Sequence, residues 1–382
     1  MRKNCRAFRM AALCGSLAWL SVMTASAEPV VSNALASQRV DGSQVVDISY
    51  QLTGAIAATT VSLQISTDDG VTWPITPAAV NVSGDVDWVT TDGAKTIAYN
   101  ANEDLPRTST SLARAKVIAV DDVLTIMLPG DVPMELVRIP AGTFTMGSPV
   151  TELSRGTDEN QFEVQLTSSF YMGRTEVTQK QWLAVRGSWP SLAPSSGLGL
   201  GDNYPAYYVS WNDIQNFMTS LNAHIESTGQ GPAVVRLPTE AEWEYCCRGG
   251  TTTRFSFGNG LGAQEDCSAE AERVNNMWYC GNNGDFNAPT YGSKSVGQKF
   301  ANSFGLHDMH GNVWEWCQDL YGTYPTSPPT QVNPTGASTG STRVLRGGYW
   351  SIGARHCRSA RRYGVAPTAR TSEFGFRVLA DR

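Results

Sequence analysis

Several residue types and patterns are scarce in this chain, and each scarcity excludes a class of function. The 382 residues include only four histidines, and no His/Cys spacing is typical of a structural zinc site. The 29 Lys and Arg residues are thinly spread in a chain of formal net charge −6, so no basic stripe indicates nucleic-acid binding. No internal repeat or low-complexity segment occurs. The length is sufficient for two domains, each with its own core.

The one long apolar run, Met10–Met23, stands near the N-terminus and is short for a membrane span. Four basic residues precede or open it (Arg2, Lys3, Arg6 and Arg9), and Ala25-Ser26-Ala27 provides a small-residue cleavage site. The pattern predicts a signal peptide over 1–27, no transmembrane segment, and export to the periplasm, cell surface or extracellular space. A lipoprotein signal at Cys14 is disfavoured by the bulky Leu13.

Cysteine is confined to one part of the exported chain. Of the eight cysteines, Cys5 and Cys14 leave with the signal peptide, and all the others stand between positions 246 and 357. An even number in an oxidising compartment predicts disulfides. The remaining set is Cys246, Cys247, Cys267, Cys280, Cys317 and Cys357.

Residues 28–125 show the alternation of half-buried strands. In 45–52 (VVDISYQL) every second residue is apolar, and 61–65 repeats the pattern before the Asp68-Asp69-Gly70 turn. Another strand fits 112–120. Short strands and turns without cysteine predict an all-β, immunoglobulin- or fibronectin-like sandwich that serves as a spacer or adhesive arm.

After a short connector, the chain carries three helix-start signals. Capping boxes begin at Thr178 and Thr239, and a helix is predicted from Ser210. That helix places one apolar stripe on a single face, formed by Ile214, Phe217, Met218, Leu221 and Ile225. Beyond about residue 250 the chain is rich in Gly, Asn and Ser, which predicts long irregular loops.

Four long motifs occur in this second part, and in this order they resemble the sulfatase-modifying-factor family, the domain of formylglycine-generating enzyme. They are VRIPAGTFTMGS (137–148), LPTEAEWEYCCRGG (237–250), GLHDMHGNVWEW (305–316) and the closing RVLRGGYW…CRSARR…FGFRVLADR. The resemblance covers 134–382. It implies an α+β domain of irregular, C-type-lectin-like fold, preceded here by the predicted sandwich.

The resemblance also implies bound Ca²⁺ at the Gly-Asn turn between two acids. Family members bind the ion there through two side chains and two carbonyls, which correspond to Asp308, Glu315, Gly311 and Val313. Ca²⁺ takes such a mixture of carboxylate and carbonyl oxygens. The alternative is a turn without a bound ion, in which the acids accept hydrogen bonds from nearby backbone amides. A second family ion site would fall at Asn276 and Met277, with Asp285 as a further candidate.

The positions that perform the family's oxidation are changed. Its oxidising members hold Cu(I) with two cysteines and convert a substrate cysteine to formylglycine, and a serine follows the Gly-Gly pair. Here the serine position is Tyr349 and the first cysteine position is Ile352. Cys357 falls at the second position only without gaps, and its neighbours match a later, structural cysteine. Copper chemistry is therefore not expected.

The same resemblance implies a disulfide between Cys247 and Cys357. A second family bridge would join the positions of Gln230 and Val378, so both of its partners are absent together. Cys267 and Cys280 enclose a short loop and could pair. Cys246 and Cys317 then remain as a pair or as free thiols.

Two tryptophans adjoin the segments that form the family's substrate groove. Trp314 and Trp350 are either core residues or the floor of a peptide or glycan site. Nearby arginines favour pairing with acids over an anionic ligand. The arginines are Arg346, Arg355, Arg358, Arg361 and Arg362, and the acids are Glu240, Glu242, Glu244 and Glu315.

Three functions remain open at this level. The first is a diverged, non-oxidising family member that binds a peptide or glycan. The second is an oxidoreductase that forms formylglycine in sulfatases. The third is a structural surface component assembled through its sandwich. The sequence leaves the ligand and the oligomeric state undetermined, because function resides in the site and not in the fold.

Overall fold

The computed structural model of the chain separates into two compact units, Met1–Val123 and Leu124–Arg382. The residues that it describes are 9–12, 29–39, 41, 43–53, 59–77, 81–89, 93–104, 113–121, 123–230, 234–259, 267–286, 288, 290–325 and 330–381. No helix in these ranges is long and apolar enough to cross a membrane.

The described residues of the N-terminal unit form strands and one short helix. Its strands are β1 (Arg9–Ala12), β2 (Val30–Gln38), β3 (Val45–Thr53), β4 (Thr59–Ser66), β5 (Val82–Gly84), β6 (Asp87–Val89), β7 (Gly93–Asn100) and β8 (Arg114–Asp121), and α1 spans Ala101–Asp104. They form one hydrogen-bonded sheet in the order β5-β7-β3-β2-β1-β8-β4-β6. The all-β character is as predicted, whereas a sandwich of immunoglobulin or fibronectin type stays a prediction.

The alternation of apolar and polar residues along the strands determines which side chains form the core of this unit. Strand β3 buries every second side chain, including Ile48, while Ser49 is exposed. Apolar residues of β3, β4, β7 and β8 share one hydrophobic cluster. The Asp68 carboxylate accepts hydrogen bonds from Ser66 and Thr72 within the predicted turn. The predicted strands at 45–52 and 61–65 are therefore confirmed.

Part of the predicted signal peptide lies within the described residues. Strand β1 pairs antiparallel with β2 and parallel with β8. Positions 1–8 and 13–28, including the Ala25-Ser26-Ala27 cleavage site, lie outside the described ranges. Cleavage after residue 27 stays a prediction.

The second unit combines short strands with four helices in its described residues. The strands are β9 (Val123–Leu128), β10 (Val132–Ile139), β11 (Gly142–Met146), β12 (Phe162–Leu166), β13 (Phe170–Gly173), β14 (Val234–Arg236), β15 (Trp314–Leu320), β16 (Thr330–Val332), β17 (Arg343–Arg346), β18 (Arg362–Val365), β19 (Phe374–Gly375) and β20 (Leu379–Asp381). The helices are α2 (Gln179–Arg186), α3 (Trp211–Thr228), α4 (Glu240–Arg248) and α5 (Ala271–Asn276).

These strands form three sheets, which fix the ends of the loops that carry the candidate site. Their orders are β14-β20-β13-β10-β9, β11-β12-β16 and β18-β17-β15-β19. The last sheet presents β15 between β17 and β19, so the Gly-Asn turn before β15 and the Gly-Gly loop after β17 are neighbours. Gly311 donates its backbone N–H to the Gly347 carbonyl at 2.7 Å.

The three predicted helix starts are confirmed. Thr178, Ser210 and Thr239 each accept a backbone N–H from the residue three positions later, and each helix ends at a left-handed glycine. All five predicted apolar residues of α3 are buried. Local hydrogen bonds and one apolar face are enough to specify these helices.

Candidate functional site

The loop that follows β17 contains the positions that would carry oxidation in the resembling enzymes. Gly347 and Gly348 have φ angles of 96° and 79°, in the left-handed region that favours glycine. Tyr349 and Ile352 are partly buried, and the Ile352 carbonyl accepts the Cys280 N–H at 3.2 Å. Neither side chain is a nucleophile or a soft-metal ligand, so this loop offers no thiolate.

The cysteine of this region lies below the loop. Cys357 is fully buried, and a Cβ on Gly348 would come within 2.5 Å of its sulfur. Burial raises the pKa of both Cys357 and Cys247 to about 12. Both groups are therefore neutral thiols near pH 7, whereas metal binding and nucleophilic attack require a thiolate.

The structure holds Cys247 and Cys357 as separate thiols, which differs from the predicted bridge. The pair shares a pocket with His310, whose Nδ1 lies 2.7 Å from the Cys357 carbonyl oxygen and whose Nε2 lies 3.7 Å from the Cys247 sulfur. Burial lowers the pKa of His310 to about 4, so the ring is neutral. Packing brings two thiols together, but joining them also requires an oxidant.

The other four cysteines form one disulfide and two free thiols, which is one of the arrangements that the sequence allowed. Cys267 and Cys280 form a disulfide that closes the short loop between them. Cys246 and Cys317 are buried free thiols. Every cysteine in the described residues is therefore either bonded or buried.

The arginines after β17 are paired with acids in the interior. Arg346 pairs with Glu240 and Glu244, and Arg362 pairs with Glu240. This part of the sequence interpretation is confirmed. Arg358 instead pairs with Glu152 and Glu159, acids that the motifs did not single out.

Both candidate groove tryptophans are buried, which does not match a floor open to ligand. Trp314 is 4% exposed and stacks on Tyr363 at 6.0 Å between ring centroids. Trp350 is 2% exposed and lies edge-on to Tyr291 at 4.7 Å. Loops without regular packing need large side chains as filling, and the indoles provide it.

The Gly-Asn turn before β15 has the sharp backbone expected of it. Asp308, Gly311 and Asn312 all have positive φ, and a Cβ on Gly311 would lie 1.8 Å from the Trp278 carbonyl oxygen. Val313 is fully buried beside it. The turn therefore carries Asp308 inward, where 2% of the residue remains exposed.

The two acids of this turn have different surroundings. Both Glu315 oxygens accept from Arg377, at 2.6 Å each, and Oε2 also accepts the indole N–H of Trp243 at 2.6 Å. Asp308 Oδ2 accepts the Gly297 N–H at 2.6 Å, but Oδ1 is buried without a partner. The free oxygen of Asp308 fits the predicted Ca²⁺, whereas Glu315 is already occupied by an internal ion pair.

The second predicted ion site, at Asn276 and Met277, stays a prediction. The Asn276 amide donates to the Glu272 carbonyl at 2.7 Å, and the Met277 carbonyl accepts from Asn282 at 2.8 Å. Two ammonium groups lie in this region. Lys299 lies over the Trp278 ring at 3.5 Å from its centroid, and Lys294 donates to Asn283. Asp285 is exposed.

The sequence interpretation missed one acid. Glu176 stands two residues before the α2 N-cap, is fully buried, and has no hydrogen-bond partner on either carboxylate oxygen. Burial, and then the neighbouring Asp308 and Glu315 carboxylates, raise its pKa well above the ordinary value. Its neighbours Arg174, Thr175 and Thr178 are polar, so no local pattern signalled its burial.

Known proteins resemble this chain over its second unit. The sulfatase-modifying factor enzyme 1-like domain matches residues 129–382. The formylglycine-generating enzyme of Mus musculus is 32% identical over 244 residues, which cover 61% of this chain and 60% of that enzyme. The chain thus spans less than two thirds of the mouse enzyme's length.

Two solved structures have the same fold as this unit. Treponema denticola variable protein 1 is 29% identical with a TM-score of 0.56, and the match covers 68% of this chain and 98% of that one. PvdO from Pseudomonas aeruginosa is 28% identical with a TM-score of 0.54, covering 65% and 94%. With the match at 129–382, the chain belongs to the family of the sulfatase-modifying factor enzyme 1-like domain.

Proposed function

We propose that this protein is an exported, non-oxidising member of the family that binds a peptide or glycan. The observation that carries the proposal is the loop after β17, where Tyr349 and Ile352 replace the serine and the first cysteine of the oxidising members. The remaining cysteine, Cys357, is a buried thiol whose pKa is raised to about 12. The neighbouring Cys247 thiol is likewise buried with its pKa raised to about 12, so the region offers no pair of thiolates for Cu(I).

A surface depression of about 360 Å³ offers a place for such a ligand. Its walls include Phe144 and Tyr245, whose ring centroids are 5.3 Å apart, together with Thr143 and Thr251. Aromatic faces beside hydroxyl groups suit the mixed apolar and polar surface of a sugar or a short peptide. The aromatic residues would supply contact area and the hydroxyl groups orientation.

The absence of oxidation is tested by incubating the purified chain with Cu(I), O₂ and a cysteine-containing peptide. We expect no formylglycine by mass spectrometry and no Cu(I) retained against a chelator, with identical results for Cys357→Ser. Catalytic turnover of the peptide would support the alternative function, sulfatase maturation, which the similarity to the mouse enzyme favours.

Binding is tested on a glycan array and a library of short peptides. Phe144→Ala should lose the binding signals that the wild type gives. Leu153→Ala should keep them, because Leu153 is an exposed apolar residue outside the depression. A wild type that binds neither class would favour a structural surface role. Export is tested separately, since the secreted chain should begin near Glu28 by N-terminal sequencing.

A further inference from the structure

Strand β11 forms one edge of its sheet, because β12 pairs with one side of it and no described strand pairs with the other side. An edge strand presents backbone N–H and C=O groups that another strand can use. The Asn333 N–H donates to the Gln165 carbonyl at 2.9 Å, so the backbone groups of Gln165 in β12 point toward β16 and away from β11. Thr143 stands opposite Gln165 and therefore directs its own N–H and C=O toward the open edge.

The same alternation continues along β11 to a point where the chain itself provides the partners. Thr145 is two residues beyond Thr143 and points its backbone groups in the same direction. At Gly147 the N–H donates to the Glu244 carboxylate at 2.9 Å, and the carbonyl accepts from the Arg248 guanidinium at 2.7 Å. The Glu244–Arg248 pair thus occupies the end of this edge, and Thr143 and Thr145 lie next along it.

The depression described above lies along the same edge. Its walls include the four residues 142–145 of β11, together with Tyr245 and residues 250–252. An extended chain at the usual strand spacing of about 4.8 Å from β11 would run through it. The five residues of β11 span about 17 Å, so a segment of similar length is enough to pair with them. A glycan offers hydroxyl groups, but not the regular row of N–H and C=O groups that matches this edge.

The two faces of the edge differ in chemistry. On one face Phe144 is partly buried, and its ring centroid lies 5.3 Å from that of Tyr245. On the other face Glu163, which stands opposite Thr145, is exposed, and its carboxylate accepts the Thr330 hydroxyl at 2.7 Å. Successive side chains of a strand point to opposite faces, so an added strand would meet the aromatic rings with one residue and the carboxylate with the next.

We propose that the open edge of β11 binds an extended segment of a partner protein as an additional strand, in which apolar and basic residues alternate. The apolar residues contact Phe144 and Tyr245, and the basic residues face Glu163. Main-chain hydrogen bonds to Thr143 and Thr145 hold the segment, and its alternate side chains determine specificity. This inference rests on the ligand-binding function proposed above and narrows the ligand from a peptide or glycan to an extended peptide.

The first test compares two fluorescein-labelled peptides of about seven residues, a length that exceeds β11. In one peptide valine and lysine alternate, and in the other the same residues are arranged in two blocks. Fluorescence anisotropy with the whole chain should show that the alternating peptide binds several times more tightly. If the two peptides bind equally, or if Phe144 is needed only for glycan binding, strand addition is wrong while the ligand-binding function stands. If neither class of ligand binds, both proposals fail.

N-methylation of the alternating peptide tests the main-chain hydrogen bonds. A methyl group on a backbone nitrogen removes one donor, and only every second residue of an added strand points toward β11. N-methylation at those alternate positions should weaken binding at least about fivefold, the equivalent of one hydrogen bond of average net strength. The intervening positions should tolerate the methyl group. Equal losses at every position, or no loss at any, would overturn the proposal.

Hydrogen exchange locates the bound segment on the chain. Without peptide, the amides of Thr143 and Thr145 should exchange fast, whereas that of Phe144 should exchange slowly because its backbone faces Val164 in the ladder. Saturating peptide should slow exchange at both threonines. Slow exchange at the two threonines without peptide, together with dimerisation, would assign the edge to a second copy of this chain and overturn the proposal.

Proline variants provide a matched comparison. Thr143→Pro removes a donor from the open edge without removing a hydrogen bond to β12, and it should weaken peptide binding at least about fivefold. Thr125→Pro is the control in the edge strand β9, where the next outward residue, Met127, donates its N–H to the Gln230 side chain. It should bind as the wild type does. If Thr143→Pro does not fold, N-methylation and hydrogen exchange still decide the question.

Discussion

The two units of this protein solve the problem of a stable interior in different ways. The N-terminal unit alternates apolar and polar residues along its strands, and its Arg39–Asp47 ion pair lies on the surface with side chains 45% and 47% exposed. In the second unit, Arg346 and Arg377 lie in the interior with 0% exposure. The comparison shows that regular strands need only an apolar face, whereas irregular loops need internal donors.

The physical reason lies in the backbone of the loops. Arg346 donates to the carbonyls of Ser359 and Arg361 besides pairing with Glu244. Arg377 donates to the carbonyls of Gly173, at the end of β13, and of His307. A guanidinium carries five donors in a rigid fork, so one side chain satisfies several carbonyls that no sheet reaches. Removing one partner from such a buried network is strongly destabilising, because it leaves an unpaired charge in the interior.

The largest effect should come from interrupting that network. Glu244→Gln removes the charge that faces Arg346 and Arg248 and should lower the free energy of unfolding by about 3–5 kcal/mol, measured by chemical denaturation. The surface counterpart, Asp47→Asn opposite Arg39, should cause no measurable change. Equal losses in the two variants would contradict the contrast between the units.

The apolar side of the comparison is tested on β3. Ile48→Ala opens a cavity in the N-terminal core and should cost about 2–5 kcal/mol of unfolding free energy. Ser49→Ala, on the opposite face of the same strand, should stay within about 0.5 kcal/mol. If the two substitutions cost the same, the strand does not bury one face as described.

The dependence of stability on pH should distinguish the two units further, because each contains an aspartate whose pKa is shifted in a different direction. Burial, and then the Glu240 carboxylate, raise the pKa of Asp319 to about 8. The folded chain therefore holds this proton more tightly than the unfolded chain, and stability should fall as pH rises from about 4 to about 8. The slope approaches about 1.4 kcal/mol per pH unit for one proton, and Asp319→Asn should remove this contribution.

The stability contribution of Asp68, in the N-terminal unit, should change with pH in the opposite direction. Hydrogen bonds from Ser66 and then Thr72 lower its pKa to about 2. Its contribution is present above the ordinary aspartate pKa and is lost as pH falls toward 2. Comparing denaturation of Asp68→Asn with the wild type at pH 7 and pH 3 measures it, and a larger difference at pH 3 would contradict the assignment.

The smallest expected loss of unfolding free energy concerns the N-cap of α4. Thr239→Ala removes the side-chain oxygen that accepts the Glu242 N–H and should cost about 1 kcal/mol. Thr239→Ser keeps the hydroxyl group and should behave as the wild type in the same denaturation measurement. A loss as large as that of Glu244→Gln would mean that Thr239 supports more than the helix start.

Sequence patterns predicted the features that depend on neighbours along the chain. The helix starts at Thr178, Ser210 and Thr239 were identified because a cap involves residues three positions apart. The apolar face of α3 and the alternation in β3 followed from periodicity. At the predicted ion sites, Asp308 has the free oxygen expected of a cation ligand, whereas Glu315 accepts from Arg377. Cation binding at either site stays a prediction.

The sequence by itself determined the family domain, the strand alternation and the helix starts. Tertiary structure decided that Cys247 and Cys357 lie together as thiols, that Trp314 and Trp350 are buried, and that Glu176 meets Asp308. Local hydrogen bonds and periodicity act within a few residues and can be recognised in a string of letters. Contacts between distant segments exist only after packing has chosen which loops meet.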